Sequence, residues 1–255
     1  MAYNEFAYFY DEFNGAADYD ALYAQVLQRL QAHGVRDGIV ADLGCGTGEL
    51  TLMLAQAGYD MIGVDQSEEM LSVVRDKADQ LGLSGSLLLL QQDLLRLDLY
   101  GTIRAAVSTF DTLNHIADLN GAIRSAAFFL EEGGVFVFDM NTPYKHSAVL
   151  ADNRFSFEED DASCLWQNHY DAAAQKVSIH ITIDYHSTGE RFEEHFCEYS
   201  YTLAQIRQAL AENGFALESV CDGEDFGPLR PDSERYFFCA VKQYTQLEGK
   251  TACQT

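Results

Sequence analysis

Apolar positions recur along this chain with two different spacings. Up to about residue 140, short apolar runs alternate with stretches whose apolar residues repeat every three or four positions. The runs near 38–43, 60–64, 86–91, 103–109 and 134–140 read as buried strands, and the stretches near 20–32, 48–57, 67–81 and 118–131 as amphipathic helices. Ser67 followed by Glu68 and Glu69 gives the third helix an N-cap and acids in its first turn. The run Glu131-Glu132-Gly133-Gly134 predicts a helix stop, with the first glycine left-handed. Strands alternating with helices at this spacing predict an α/β fold, doubly wound about a mostly parallel sheet.

After Pro143 the period changes. Lys176 to Ile183 and Phe192 to Tyr201 alternate apolar with polar, which predicts antiparallel strands joined by a turn at Ser187-Thr188-Gly189-Glu190. Helical spacing returns over Thr202 to Asn213, closed by Gly214. Phe215 to Cys221 and Tyr236 to Lys242 then complete a sheet of seven strands. The expected division is a helical and aromatic segment 1–36, a core formed by 37–150 and 202–243, an antiparallel insert 151–201 and a polar tail 244–255.

One loop narrows the chemistry. The first strand ends in Val40-Ala41-Asp42-Leu43 and runs into Gly44-Cys45-Gly46-Thr47-Gly48-Glu49 before a helix begins. Glycines on alternate positions let a backbone approach a ligand closely and accept positive φ. The second strand ends at Asp65, where a carboxylate can accept hydrogen bonds from a ribose diol. The dinucleotide pattern G-x-G-x-x-G needs its third glycine where this chain has Glu49. A pyrophosphate would lie against that charge, whereas a ligand carrying an ammonium and a sulfonium would not be repelled.

The segment D-L-G-C-G-T-G resembles motif I of the class I S-adenosylmethionine-dependent methyltransferases, with Asp65 matching their acidic ribose binder. The N-terminal F-A-Y-F-Y-D-E with Tyr19, together with D-Q-S-E-E-M-L, resembles the bacterial YqeM-like methyltransferases. The chain is also similar to aminosugar N,N-dimethyltransferases and, more distantly, to glycine N-methyltransferase. The resemblance runs over roughly residues 3–242 and implies a Rossmann-like core, with the insert capping the substrate side. S-adenosyl-L-methionine is then the expected cofactor. Asp42, Gly44, Cys45, Gly46 and Gly48 would meet its methionine half and Asp65 its ribose. Gln66, Met70, Gln92, Asp93 and Leu94 would lie along the adenine, and Tyr10 would close over the whole. Met70 reads equally as a core residue, and Asp93 as an ordinary turn residue.

The acceptor half is less legible. After the fourth strand, Phe110 is expected beside the cofactor, while Asp111, Asn114 and His115 offer an acceptor, an amide and a base within five residues. A purely structural role, Asp111 and Asn114 capping the turn while His115 packs, stands beside that reading. Asn141-Thr142-Pro143-Tyr144 resembles the N-P-P-Y of base-amino methyltransferases but follows the wrong strand, so it reads as a pocket loop. In the insert, His180, Thr182, Asp184 and His186 would share one face. The spacing of His169, His180, His186 and His195 with Glu193 and Glu194 matches no metal-ligand pattern, so no metal site is expected.

Net charge is −24, from 16 basic and 40 acidic residues, with no basic stripe. Nucleic acid is therefore a disfavoured partner, and an amine substrate is a weakly favoured one. The 6 cysteines show no C-x-x-C pair, and no apolar run is long enough to span a bilayer. A cytoplasmic enzyme acting on a small molecule is the expectation, with nitrogen or oxygen as acceptor. A nicotinamide-dependent oxidoreductase and a cofactor-binding protein without turnover are the alternatives.

Overall fold

A computed structural model describes residues 18–244. The first element is helix α1 (Tyr19–Ala32), capped by the Asp18 side chain, which accepts from the Ala21 amide. Then come β1 (Ile39–Leu43), α2 (Glu49–Gln56), β2 (Asp60–Asp65), α3 (Glu68–Leu81), β3 (Leu87–Gln91), β4 (Ile103–Ser108), α4 (Leu119–Phe129) and β5 (Leu130–Asn141). The insert supplies β6 (Arg154–Glu158), β7 (Ala162–Asp171), β8 (Lys176–Tyr185) and β9 (Arg191–Tyr199). Finally α5 (Leu203–Glu212), β10 (Phe215–Asp222) and β11 (Arg235–Lys242) return to the core.

The main sheet has seven strands in the order β10-β11-β5-β4-β1-β2-β3. Strands β1 to β5 are parallel, and β11 lies antiparallel between β5 and β10. Both faces are covered, as a parallel sheet requires. Side chains alternate across it: Val40, Met61, Val107, Val135 and Val137 pack toward α1 and α2, while Ala41, Ile62, Ala106, Phe136 and Phe138 pack toward α4 and α5. Strand order reverses between β1 and β4, so the carboxyl ends of these neighbours open the crevice where such sheets bind ligands.

One boundary differs from the sequence expectation. Helix α4 stops at Phe129 rather than residue 131, and Leu130 already pairs with Ile103 of β4. Gly133 does take positive φ (79°), but inside β5, where the register slips between Ile103 and Ala105. Pairing with β4 satisfies the backbone of residue 130 at once, so the glycines serve a bulge instead of a helix end. Strand β5 is correspondingly longer than the expected 134–140.

The insert is a second sheet, ordered β6-β7-β8-β9, with the expected turn between β8 and β9. On β8, Val177, Ile179, Ile181 and Ile183 are buried, and Ser178, His180, Thr182 and Asp184 alternate with them on the opposite, less buried face. The apolar face gathers Trp166 and Phe196 over Leu150 of the turn that follows β5. On β9 the same alternation turns Glu194, Phe196 and Glu198 inward.

Candidate active site

The crevice between β1 and β4 contains two adjoining pockets that share Gly44 and Thr112. One is lined by Asp42, Cys45, Gly46, Thr47, Glu49 and Phe110, with Tyr19 at its edge. The other is lined by Asp65, Gln66, Leu94, His115 and Ile116. Glycine is obligatory in the loop between them. Gly44 has φ 79°, and a Cβ there would run into the Thr112 side chain. Gly48, at φ 82°, begins α2, and a Cβ would meet Val74 Cγ1 at 2.7 Å. Close packing of α3 thus fixes the bend.

Asp42 stands at the floor of the first pocket with only 2% of its surface exposed. Its Oδ2 accepts from Thr51 Oγ1 at 2.5 Å, but Oδ1 has no hydrogen-bond partner among the described residues. Burial pushes its carboxyl up to about 7, against the Thr51 hydrogen bond that lowers it. A buried oxygen left in this condition suits a cationic ligand group. Glu49, in the same pocket, is held by Lys77 at 2.5 Å. In the second pocket, Asp65 Oδ2 accepts from the Gly46 amide and Oδ1 from the Ser67 amide, both at 2.9 Å. Burial pushes Asp65 up as well, only partly offset by these amides. Each oxygen keeps a second lone pair for a further donor.

The other expected cofactor residues divide between the pocket lining and its surroundings. Leu94 and Gln66 line the second pocket. Asp93 accepts from the Leu95 amide and caps a short 3-10 turn. The Gln92 side chain is engaged at both ends with the Asp98 backbone. Met70 is buried, its amide capped by Ser67 Oγ. Tyr10 lies outside the described residues.

The turn after β4 carries the strain of the site. Phe110 and Asp111 both have φ 54°, each costing about 1–3 kcal/mol for a residue with a side chain. Asp139 of β5 compensates: its two oxygens accept from the Phe110 amide at 2.9 Å and the Asp111 amide at 2.7 Å. Arg235 of β11 closes the arrangement with bonds to Asp139 (2.8 Å) and Asp111 (3.0 Å), and its guanidinium lies 5.6 Å from the centre of the Phe110 ring. Burial alone would lower the Arg235 pKa, but Asp139, Asp111 and Glu224 outweigh it and raise it.

Asn114 is fully buried and spent on the backbone. Its amide donates to the carbonyls of Asn141 and Tyr199, and its oxygen accepts from the Asn141 amide. It fastens the β4 turn to the end of β5 and to the last strand of the insert. His115 instead lines the second pocket, 3.7 Å from Asp111 Oδ2 and edge-on to Phe196 of the insert. One donor atom of each of His115, Asp111 and Glu198 falls within 4.8 Å of the others.

Glu198, His146, Lys145 and Arg235 gather around Asp111 and His115 and were missed in the sequence. Glu198 Oε2 accepts from His146 Nε2 and Asn141 Nδ2, both at 2.8 Å. Burial pushes the Glu198 carboxyl up, but His146, His115 and Asn141 together hold it at about 2. Lys145, on the turn after β5, has its ammonium pushed down by burial and by Arg235. Alternation on β9 signalled an inward residue at 198, but no pattern signalled its partners 52 and 57 positions away.

Comparison with known proteins agrees with this fold. A family model described as a methyltransferase domain matches residues 40–134. YqeM of Bacillus subtilis (strain 168) is 33% identical, covering 96% of this chain and 99% of its own. An S-adenosylmethionine-dependent methyltransferase from Clostridium acetobutylicum superposes with a TM-score of 0.83 at 28% identity, covering 96% of this chain and 100% of its own. The sugar N-methyltransferase KedS8 from Streptoalloteichus shares the fold, with a TM-score of 0.73 at 21% identity over 92% of this chain and 93% of its own.

Proposed function

From the premise that this chain belongs to the YqeM-like S-adenosylmethionine-dependent methyltransferases, we propose that it methylates a nitrogen or oxygen of a small molecule. The acceptor site of this reading lies between the β4 turn and the insert. The supporting observation is the joining of His115 to both the second pocket and the insert: it lines the cavity with Asp65 and touches Phe196.

The residues of the crevice fit the cofactor. Asp42 Oδ1, buried and unbonded, would accept from the ammonium of its methionine end, and the bare α-carbons of Gly44 and Gly46 leave room for the chain. Asp65 would accept from the ribose, with Leu94 against the base. When bound, S-adenosylmethionine supplies a methyl group already activated by positive sulfur. The protein is then left with alignment and exclusion of water. The Asp139–Arg235 pairing holds the strained β4 turn, and with it His115, in a fixed place. His115 is the group that takes the acceptor's proton, with Asp111 Oδ2 3.7 Å from its Nε2 and Glu198 close to both. An amine fits this acidic surrounding better than an anionic acceptor.

Two measurements test the reading. S-adenosylhomocysteine is expected to raise the melting temperature and NADH to leave it unchanged. With methyl-labelled cofactor and a metabolite extract, label is expected in the small-molecule fraction. Label found only in protein or nucleic acid overturns the small-molecule acceptor while leaving the methyltransferase intact.

A further inference from the structure

Three clusters among the described residues bring donor atoms of His, Cys, Asp or Glu within 4.8 Å of one another. Two of them are already committed. In the first, His33 Nε2 bonds Glu218 at 2.6 Å and Nδ1 bonds the Arg29 carbonyl, while burial pushes the Cys239 thiol up to about 12. In the second, Asp111 is paired with Arg235, and Glu198 with His146 and Asn141.

The third cluster differs. His180 of β8 and His195 of β9 are directly paired across the hairpin, their rings stacked 16° from parallel with centroids 4.1 Å apart. Glu193, next on the same face of β9, brings a carboxylate oxygen 3.7 Å from His180 Nε2. That nitrogen is closed off from solvent and has no hydrogen-bond partner among the described residues. Leaving such a group unsatisfied costs about 1–3 kcal/mol, so its persistence calls for an occupant.

We propose that His180, Glu193 and His195 form a site for a divalent transition metal, of which zinc is the best match. Two imidazoles and one carboxylate are a donor set that zinc accepts, with water in the fourth position. Nitrogen ligands at about 2.0–2.1 Å from zinc stand about 3.3 Å apart, so the stacked rings must turn about their side-chain bonds to aim both lone pairs at one ion. Glu193 and His195 lie on the exposed face of the insert, so an ion would enter from that side as their side chains turn. The sequence spacing of these residues matches no ligand pattern because the pair is assembled across two strands. The metal would clip β8 to β9, the strand that carries Phe196 and Glu198 on its opposite face into the active site. The site is independent of the acceptor's identity.

The test uses the full chain, stripped with a chelator that is then removed, and titrated with zinc by calorimetry and with cobalt by visible absorption. One equivalent is expected to bind near neutral pH. His195→Gln, at an exposed position, is expected to weaken binding at least about tenfold, and Glu193→Gln by less. His169→Ala and Cys239→Ser are expected to leave binding unchanged. Circular dichroism of His195→Gln establishes that it is folded. The proposal is overturned by absence of stoichiometric binding to the native chain, or by undiminished binding to His180→Gln/His195→Gln.

Discussion

Asp42 makes the sharpest quantitative demand on the site. Its carboxyl is raised from the usual 3.8 to about 7, chiefly by burial. At about 1.4 kcal/mol for each factor of ten in proton affinity, that difference is worth about 4 kcal/mol. The folded chain keeps this proton up to about pH 7, whereas the unfolded chain releases it near pH 4. The stabilising contribution is therefore complete below the unfolded value and is lost as pH rises through about 7. Binding an ammonium requires the opposite state, the carboxylate. Cofactor affinity is thus expected to rise about tenfold per pH unit between about pH 5 and 7 and then level off, with close to one proton released on binding at the acid end. Calorimetry in two buffers of different ionisation heat measures both quantities. Asp42→Asn retains an acceptor for Thr51 Oγ1, so it is expected to bind weakly, without the acid limb, and to gain stability relative to the native chain above about pH 7. An affinity that is flat from about pH 5 to 7 in the native protein, or an acid limb that persists in Asp42→Asn, refutes the assignment of Oδ1 to the ammonium.

Four other expectations follow from the same geometry. Asp65→Ala is expected to weaken S-adenosylhomocysteine binding by about 1–3 kcal/mol in a calorimetric titration, part of it through the freed Gly46 amide; unchanged affinity removes Asp65 from the ribose role. His115→Ala is expected to lower turnover with little change in cofactor affinity, and a collapse of affinity instead makes it a pocket wall. Arg235→Ala leaves Asp139 buried and unpaired, and is expected to cost about 3–5 kcal/mol in denaturant unfolding. Asn114→Ala removes three hydrogen bonds from a fully buried position. It is expected to cost about 2–4 kcal/mol and to loosen the insert, read as faster amide exchange in β9.

The sequence alone settled the parts of this protein whose physics is local. The shift from helical to alternating spacing near residue 143 announces the insert, because apolar period reports secondary structure before any tertiary contact is made. The Gly44–Gly48 bend was equally legible, since the need for positive φ and a missing Cβ is written in the residue itself. The α4–β5 boundary was not, because pairing of Leu130 with Ile103, 27 positions away, overrode the local preference of Glu131 to Gly134. Asn114 shows the same limit within the site. Its type and its place after β4 fit chemistry, yet its three partners lie on β5 and β9, and only folding commits it to holding them. Arg235 and His146, and the partners of Glu198, were silent in the chain for the same reason. Side chains that converge from separate elements follow no spacing, and only the packed structure brings them within reach of one another.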